Sequence, residues 1–291
     1  MTEIEKILLD KANILVEALP YIRKFYGKIF VIKYGGAAQK ELPLKDAFAK
    51  DIVLLNFIGI KPIVVHGGGP KITETMKRLG KEPHFINGHR VTDRETMEVV
   101  EMVLGGIINK EIVQLINAHG GKAVGLTGKD GNLLRTTKKT MKIKEQETDL
   151  GFVGEIEQVS TDILETLQRD SFIPVVAPIG FDKNGNSYNI NADTVASSIA
   201  VAVGAEKLIL LTDVKGISDE TGNHIPTLKV EEALKLIGEN IISGGMIPKV
   251  HACLNALTGG VRKTHIIDGR IPHSLILEIF TKKGIGTEIV L

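Results

Sequence analysis

Three glycine-bearing turns constrain this chain more than any other feature of its sequence. Lys33-Tyr34-Gly35-Gly36 follows the apolar run Ile29-Phe30-Val31-Ile32, and His66-Gly67-Gly68-Gly69-Pro70 follows Pro62-Ile63-Val64-Val65. The third, Gly244-Gly245-Met246-Ile247-Pro248-Lys249, follows a helical stretch. Glycine at a strand-to-helix turn lets backbone N–H groups come close to an anion, and the helix N-terminus behind the turn adds a favourable dipole. Two such turns with two lysines describe a cradle for a polyphosphate. The P-loop spacing and the dinucleotide-binding spacing at a strand–helix junction are both absent, which leaves these turns as the phosphate device.

Between the turns, apolar strand-like runs alternate with helical patterns. Strands are predicted at Ile29–Lys33, Pro62–His66, Ala123–Leu126, Ile173–Ala177 and Lys207–Leu211, and helices at Leu44–Ile58, Pro70–Leu79, Thr161–Arg169, Thr194–Val203, Lys229–Ile237 and Lys249–Leu257. A long helix is expected over Thr92–Ala118, with Gly105-Gly106 inside it. Such alternation implies right-handed crossovers and an α/β fold with a mainly parallel sheet covered on both faces. His265–Asp268 and Glu288–Leu291 are expected to close the sheet, and the lysine-rich stretch around Asp149–Gly154 reads as a hairpin excursion. Ahead of the alternation, Ile4, Ile7, Leu8, Ala12, Leu15, Val16 and Leu19 share one helical face that Pro20 interrupts. That stripe needs a partner, either its own lobe or another subunit. The expected organisation is a helical extension over 1–27, a first lobe over 28–180 and a second lobe over 181–291.

Charge and cysteine content narrow the function classes. Thirty-six Lys+Arg against 35 Asp+Glu give a formal net charge of +1, so the chain lacks the basic excess of a dedicated nucleic-acid binder. The single cysteine, Cys253, excludes an intramolecular disulfide and reads as a small core residue in a reducing compartment. No membrane span or secretory signal is legible at the N-terminus, and a cytoplasmic protein is expected. The eight histidines show no ligand spacing, so no protein-bound transition metal is expected, and His66 at a strand end reads as a hydrogen-bonded structural residue.

Five motifs, Lys33-x-Gly35-Gly36, His66-Gly67-Gly68-Gly69-Pro70, Asn87-Gly88-x-Arg90-Val91-Thr92-Asp93, Asn189-x-Asn191-Ala192-Asp193 and Gly244-Gly245-Met246-x-x-Lys249, occur here in order. In order and rough spacing the set resembles the amino-acid kinase family, and within it the members that phosphorylate N-acetyl-L-glutamate in arginine biosynthesis. The resemblance covers essentially the whole chain. It implies a three-layer αβα sandwich with two lobes, and transfer of the γ-phosphoryl of ATP, brought in with Mg2+, to a carboxylate. A carboxylate at neutral pH is already an anion, so no general base is required. The obstacle is repulsion between two anions, and alignment with surrounding cations and N–H donors meets it.

By that resemblance Lys33 and Lys249 stabilise the transition state and Asp193 holds them in place. Read from the residues alone, Asp193 serves equally as the N-cap of the helix that follows. Arg90 and Asn189 match the acceptor-binding positions, and a guanidinium suits a carboxylate by making two parallel hydrogen bonds. Gly67, Gly68 and Gly69 match the loop receiving acceptor and γ-phosphate. Gly35, Gly36, Ser243, Gly244 and the loop Asp213-Val214-Lys215-Gly216 match the ATP site. The N-terminal extension resembles that of the arginine-inhibited type, in which three dimers form a hexamer. Tyr21, His265, Gly269, Glu278 and Gly284 fall where the inhibitor L-arginine would sit. Two alternatives stay open: another kinase of the family, acting on aspartate, glutamate or carbamate, and a silent nucleotide or arginine sensor.

Overall fold

The computed structural model describes residues 2–39, 41–143 and 146–291. At its centre is an eight-stranded sheet. From edge to edge the strands are Thr227–Lys229, Thr287–Val290, Lys263–Asp268, Lys207–Thr212, Ile29–Tyr34, Lys61–His66, Ile173–Ala177 and Ala123–Thr127. All neighbours are parallel except Lys263–Asp268 with Thr287–Val290, so the expected mainly parallel α/β sheet is present. The first strand pairs with Lys61–His66 on one side and Lys207–Thr212 on the other, so one sheet runs through both halves of the chain.

The period of two along each strand sorts side chains between two cores. Phe30 and Ile32 enter one apolar cluster together with Val64, Ile209 and Ile267, against the helices Leu42–Phe57, Arg94–Glu101 and Asn109–Ala118. Val31 enters the other with Ile63, Val65, Leu208, Leu210 and Ile266, against Ala192–Ala202 and Met246–Thr258. Nearly all are fully buried, each contributing about 1.5–3 kcal/mol by removal from water. Side-chain parity therefore decides which layer a polar residue at a strand end will face. Lys33 shares the parity of Val31; His66 shares that of Val64.

Three expectations are corrected. The long helix of Thr92–Ala118 is three consecutive segments, Arg94–Glu101, a π-helical stretch Met102–Ile108 and Asn109–Ala118. Gly105-Gly106 weakens the α register, and the wider turn sets Leu104 and Ile108 against Gly68, where a Cβ would lie 2.4 Å from Leu104 Cδ2. The terminal strand does not form the sheet edge: Thr227–Lys229 lies outside it, too short for its alternation to stand out from the helix Val230–Gly238 that it adjoins. Helix Met246–Thr258 begins three residues before Lys249, with Pro248 in the first turn, where a missing N–H is tolerated.

The hairpin Leu134–Ile143 and Gln146–Val159 is present, and with Ile179–Phe181 and Ser187–Asn189 it closes into a small four-stranded unit. At the N-terminus, the helices Glu3–Glu17 and Leu19–Phe25 meet at Ala18, before Pro20. Ile4, Leu8, Leu15, Val16 and Leu19 of the apolar face are exposed, Leu15 by 75%, so this stripe is not covered by the body of its own chain. The side chain of Ile7 lies outside those described, as does residue 1 of the extension.

Gly151 ties the hairpin to the segment after Arg90. It has φ +74°, and a Cβ there would lie 2.1 Å from the Thr92 carbonyl oxygen, which accepts from Phe152 N–H at 2.6 Å. Gly151→Ala combines left-handed strain with a backbone clash, and is expected to lower unfolding free energy by about 2–4 kcal/mol in a urea titration. A change within the error of the titration would contradict this account.

Candidate active site

Three charged side chains meet at the carboxyl ends of the central strands. Lys33 projects from the end of the first strand toward the layer of helices Ala192–Ala202 and Met246–Thr258, as its parity requires. Its Nζ forms an ion pair with Asp193 Oδ1 at 3.0 Å, and Lys249 Nζ donates to Asp193 Oδ2 at 2.9 Å. Asp193 is not the cap of its helix. Asn191 Oδ1 caps it, accepting from Asp193 N–H at 2.8 Å and Thr194 N–H at 3.2 Å, which frees the Asp193 carboxylate to bridge the lysines.

The electrostatics follow from burial. Removal from water pushes the Lys33 ammonium below its ordinary value, and Lys249 adds to that, while Asp193 opposes both. For Asp193, burial favours the neutral acid, but the two ammonium groups together hold its carboxyl below the usual range. With both lysines charged the cluster carries a net positive charge. Gly35 lies close beside it: a Cβ there would sit 3.2 Å from Lys33 Nζ. Gly36 takes φ +67°, a left-handed conformation suited to glycine.

Next to the cluster, a pocket of about 200 Å³ is lined by Gly67, Gly68, Gly69, Arg90, Asn189 and Asn191, among others. All five expected acceptor positions thus share one cavity. Arg90 is buried, which lowers its pKa, and its guanidinium lies 4.6 Å over the Phe85 ring. Its Nη2 donates to Gly69 O at 3.0 Å and Thr73 Oγ1 at 2.8 Å, and Nη1 to the weak acceptor Met76 Sδ at 3.3 Å. Asn189 reaches Thr92 Oγ1 at 3.5 Å, and Thr92 in turn donates to Arg90 O at 2.8 Å. The Gly67 N–H is committed to Tyr34 O at 2.8 Å.

The expected ATP positions are more dispersed. Asp213, Val214 and Lys215 form an exposed loop directly after Lys207–Thr212, and Gly216 closes it with φ +153°. Ser243 and Gly244, the latter with φ +56°, form the exposed turn that precedes the helix of Lys249. Among the described residues no hydrogen bond links the two loops. Gly244 borders a wide cleft of about 1050 Å³ between the hairpin and the helices that carry Asp193 and Lys249.

On the opposite layer, three of the expected regulatory residues converge, joined by one that the sequence reading missed. Lys207 Nζ lies 2.7 Å from His265 Nε2, and His265 Nδ1 lies 2.7 Å from Glu278 Oε1. Glu278 Oε2 accepts from Ile285 N–H at 2.7 Å and Gly286 N–H at 3.0 Å, and Gly284 leaves room for that carboxylate. Lys207 carried a readable signal, since it shares strand parity with Ile209 and pairs in register with Lys263 beside His265. Tyr21 packs edge-on to Phe280 with ring centroids 6.1 Å apart. Gly269 sits apart from the trio, donating its N–H to Thr212 O at 2.9 Å. His66, expected as a hydrogen-bonded structural residue, is buried behind the glycine loop and pairs with Asn109, which no motif foreshadowed.

Residues 28–268 match the amino acid kinase family. The chain is 57% identical to the acetylglutamate kinase of Persephonella marina, over 97% of this chain and 99% of that one. It is 55% identical to the acetylglutamate kinase of Acinetobacter baumannii, over 99% of this chain and 97% of that one. Among solved structures, N-acetylglutamate synthase of Neisseria gonorrhoeae, complexed with coenzyme A and N-acetyl-glutamate, superposes with TM-score 0.86 at 28% identity. The superposition covers 96% of this chain but only 63% of that longer one. The same synthase complexed with coenzyme A and L-arginine gives TM-score 0.82, with 96% and 65% covered. Giardia carbamate kinase shares the fold alone, at TM-score 0.65 and 18% identity over 91% of this chain and 99% of that one.

The Glu278 carboxyl is held at about 2, below its ordinary 4.5: burial alone would raise it, but His265 and the two backbone N–H groups outweigh burial. A folded value below the unfolded one means that stabilisation is complete above the unfolded value and is lost as pH falls through the folded value. Glu278→Gln is therefore expected to lose less stability than the parent between pH 4.5 and about 2, read from urea midpoints across pH. Parallel curves for the two proteins would refute the assignment. Both the sequence match over most of its length and the fold show that this chain belongs to the amino acid kinase family.

Proposed function

We propose that this chain transfers the γ-phosphoryl group of ATP to the side-chain carboxylate of N-acetyl-L-glutamate, forming N-acetyl-L-glutamyl 5-phosphate. The observation that carries the reading is the Lys33–Asp193–Lys249 cluster, set beside a glycine-lined pocket that contains Arg90 and Asn189. High identity to acetylglutamate kinases along nearly the full chain supports the choice of acceptor. A carboxylate oxygen attacks the γ-phosphorus, the bond to the β,γ-bridging oxygen breaks, and ADP leaves with the electron pair. No proton moves. Lys33 and Lys249 face the charge spreading over the transferred group, and Asp193 fixes both ammonium positions in advance.

The donor set fits phosphate oxygens: two ammonium groups, bridged by a carboxylate that fixes their positions. Mg2+ enters with ATP, where it neutralises phosphate charge. Gly35, Gly36, Ser243, Gly244 and the loop Asp213–Gly216 receive the nucleotide in the 181–291 lobe and its border with the first strand. Arg90 takes the acceptor in the 28–180 lobe. Its Nη1 contact to Met76 sulfur is the weakest it makes, and a substrate carboxylate replaces it with a stronger charge-assisted bond. No helix of the described residues is long and apolar enough to cross a membrane. The setting we propose is the cytoplasm.

L-Arginine is proposed as a feedback inhibitor acting near His265, Glu278 and Gly284, with Tyr21 of the extension close by. Supporting this, Glu278 is a buried carboxylate suited to a guanidinium, and the exposed apolar stripe of Glu3–Glu17 offers a surface through which dimers associate as a hexamer.

Trapping of acyl phosphate with hydroxylamine, over a panel of N-acetyl-glutamate, glutamate, aspartate and carbamate, tests the acceptor. N-Acetyl-glutamate should give the highest kcat/KM, and no product with any acceptor would favour the silent sensor. Lys249→Ala is expected to lower kcat by roughly a hundredfold or more, whereas Arg90→Ala mainly raises the acceptor KM. Wild-type turnover in the lysine variant would remove the mechanism. Deleting residues 1–24 should reduce the assembly mass and abolish arginine sensitivity; retention of both would end the regulatory reading.

A further inference from the structure

The glycine loop is held from behind by a residue that the reaction does not require as a base. His66 is fully buried, and its strand parity directs it to the layer of Asn109–Ala118, away from Lys33. Its Nδ1 lies 3.0 Å from Gly67 O, and its Nε2 lies 3.2 Å from Asn109 Nδ2. The same Nδ2 donates to Val175 O at 2.9 Å, while Asn109 Oδ1 accepts from Lys110 Nζ at 3.2 Å. Turning the amide over would set its oxygen against the Val175 carbonyl, so Nδ2 is the donor. His66 Nε2 must then accept, and Nδ1 must carry the hydrogen that Gly67 O accepts. Burial pushes the imidazole down to about 4, in keeping with a neutral ring.

This fixes a peptide plane. The Gly67 carbonyl is held by His66 Nδ1–H, with the Gln39 amide a second donor at 3.4 Å, and the Gly67 N–H is held by Tyr34 O. No peptide bond is cis among the described residues. In a trans peptide the carbonyl of Gly67 and the N–H of Gly68 point in opposite directions. We infer that His66, anchored by Asn109, is a positioning residue that turns the Gly67–Gly68 peptide so that the Gly68 N–H faces the transferred phosphoryl group. Glycine has little conformational preference of its own, and three in succession have least. An external clamp is what converts a permissive loop into a preorganised donor.

The inference rests on the phosphoryl-transfer reading, so its test separates the two. Turnover is measured with whichever acceptor the unaltered enzyme phosphorylates, and failure to find any acceptor counts against the proposed function rather than the clamp. In His66→Asn the side-chain amide can occupy the Nδ1 position and donate to Gly67 O. In His66→Gln it reaches the Nε2 position, keeps Asn109 and leaves Gly67 O without its ring donor. The expected result is a kcat roughly tenfold to a hundredfold lower in His66→Gln, ATP KM within about threefold, and substantial recovery of kcat in His66→Asn. Equal kcat in the two variants, or a change in melting temperature alone, overturns the inference. Should either variant fail to fold, nitrogen-15 NMR of histidine-labelled full-length protein decides without substitution. A neutral Nδ1–H tautomer at pH 7 supports the clamp; an Nε2–H tautomer or an imidazolium refutes it.

Discussion

The bridge from Asp193 to Lys33 and Lys249 is the interaction on which the rest of the molecule depends. At about 3 Å and an effective dielectric near 20, each ion pair is worth about 5 kcal/mol before desolvation, and removing each ion from water costs several kcal/mol in return. The two nearly offset, and the lysines repel one another. Stability is therefore not what the cluster contributes. Its contribution is a fixed, largely buried cationic cluster that carries one net positive charge when both lysines are protonated. The first strand, the cap at Asn191 and the early start of the helix carrying Pro248 each set one corner of this triangle.

The sheet also keeps two sets of chemistry apart. Odd and even positions along the same strands face different layers, so Lys33 joins Asp193 on one side, while Lys207 and His265 join Glu278 on the other. His66 belongs to this second side in direction but serves the first in effect, since it acts through the Gly67 carbonyl. Neighbouring strands thus serve the Lys33–Asp193–Lys249 cluster and the buried Lys207–His265–Glu278 chain without either occupying the other's space.

Much of this was legible in the sequence. Ile173–Ala177 stands in the structure with its predicted ends, and the other central strands differ by a residue or so, because short apolar runs bounded by glycine or proline leave little choice. The three charged residues were legible as motif members, and strand parity then accounts for the layer that Lys33 enters. What was hidden depended on geometry between distant segments. Nothing in the local sequence says that Asn191, rather than Asp193, caps its helix, since either residue type suits the position. A strand as short as Thr227–Lys229 shows no alternation, and a π-helical turn keeps an apolar pattern close to that of an α-helix. Asn109 lies in a sequence with no motif, and its partner His66 is a type more often structural than not.

The pairing of Ile29–Tyr34 with Lys207–Thr212 has a consequence for how the molecule comes into being. During synthesis the earliest strand emerges with one flank filled promptly by Lys61–His66, while the other waits until well over half of the polypeptide has left the ribosome. Throughout that interval it presents an unpaired apolar edge, the kind of surface that invites wrong partners. The edge stays open until Lys207–Thr212 arrives, and no product of translation that ends before Lys249 can assemble the cluster.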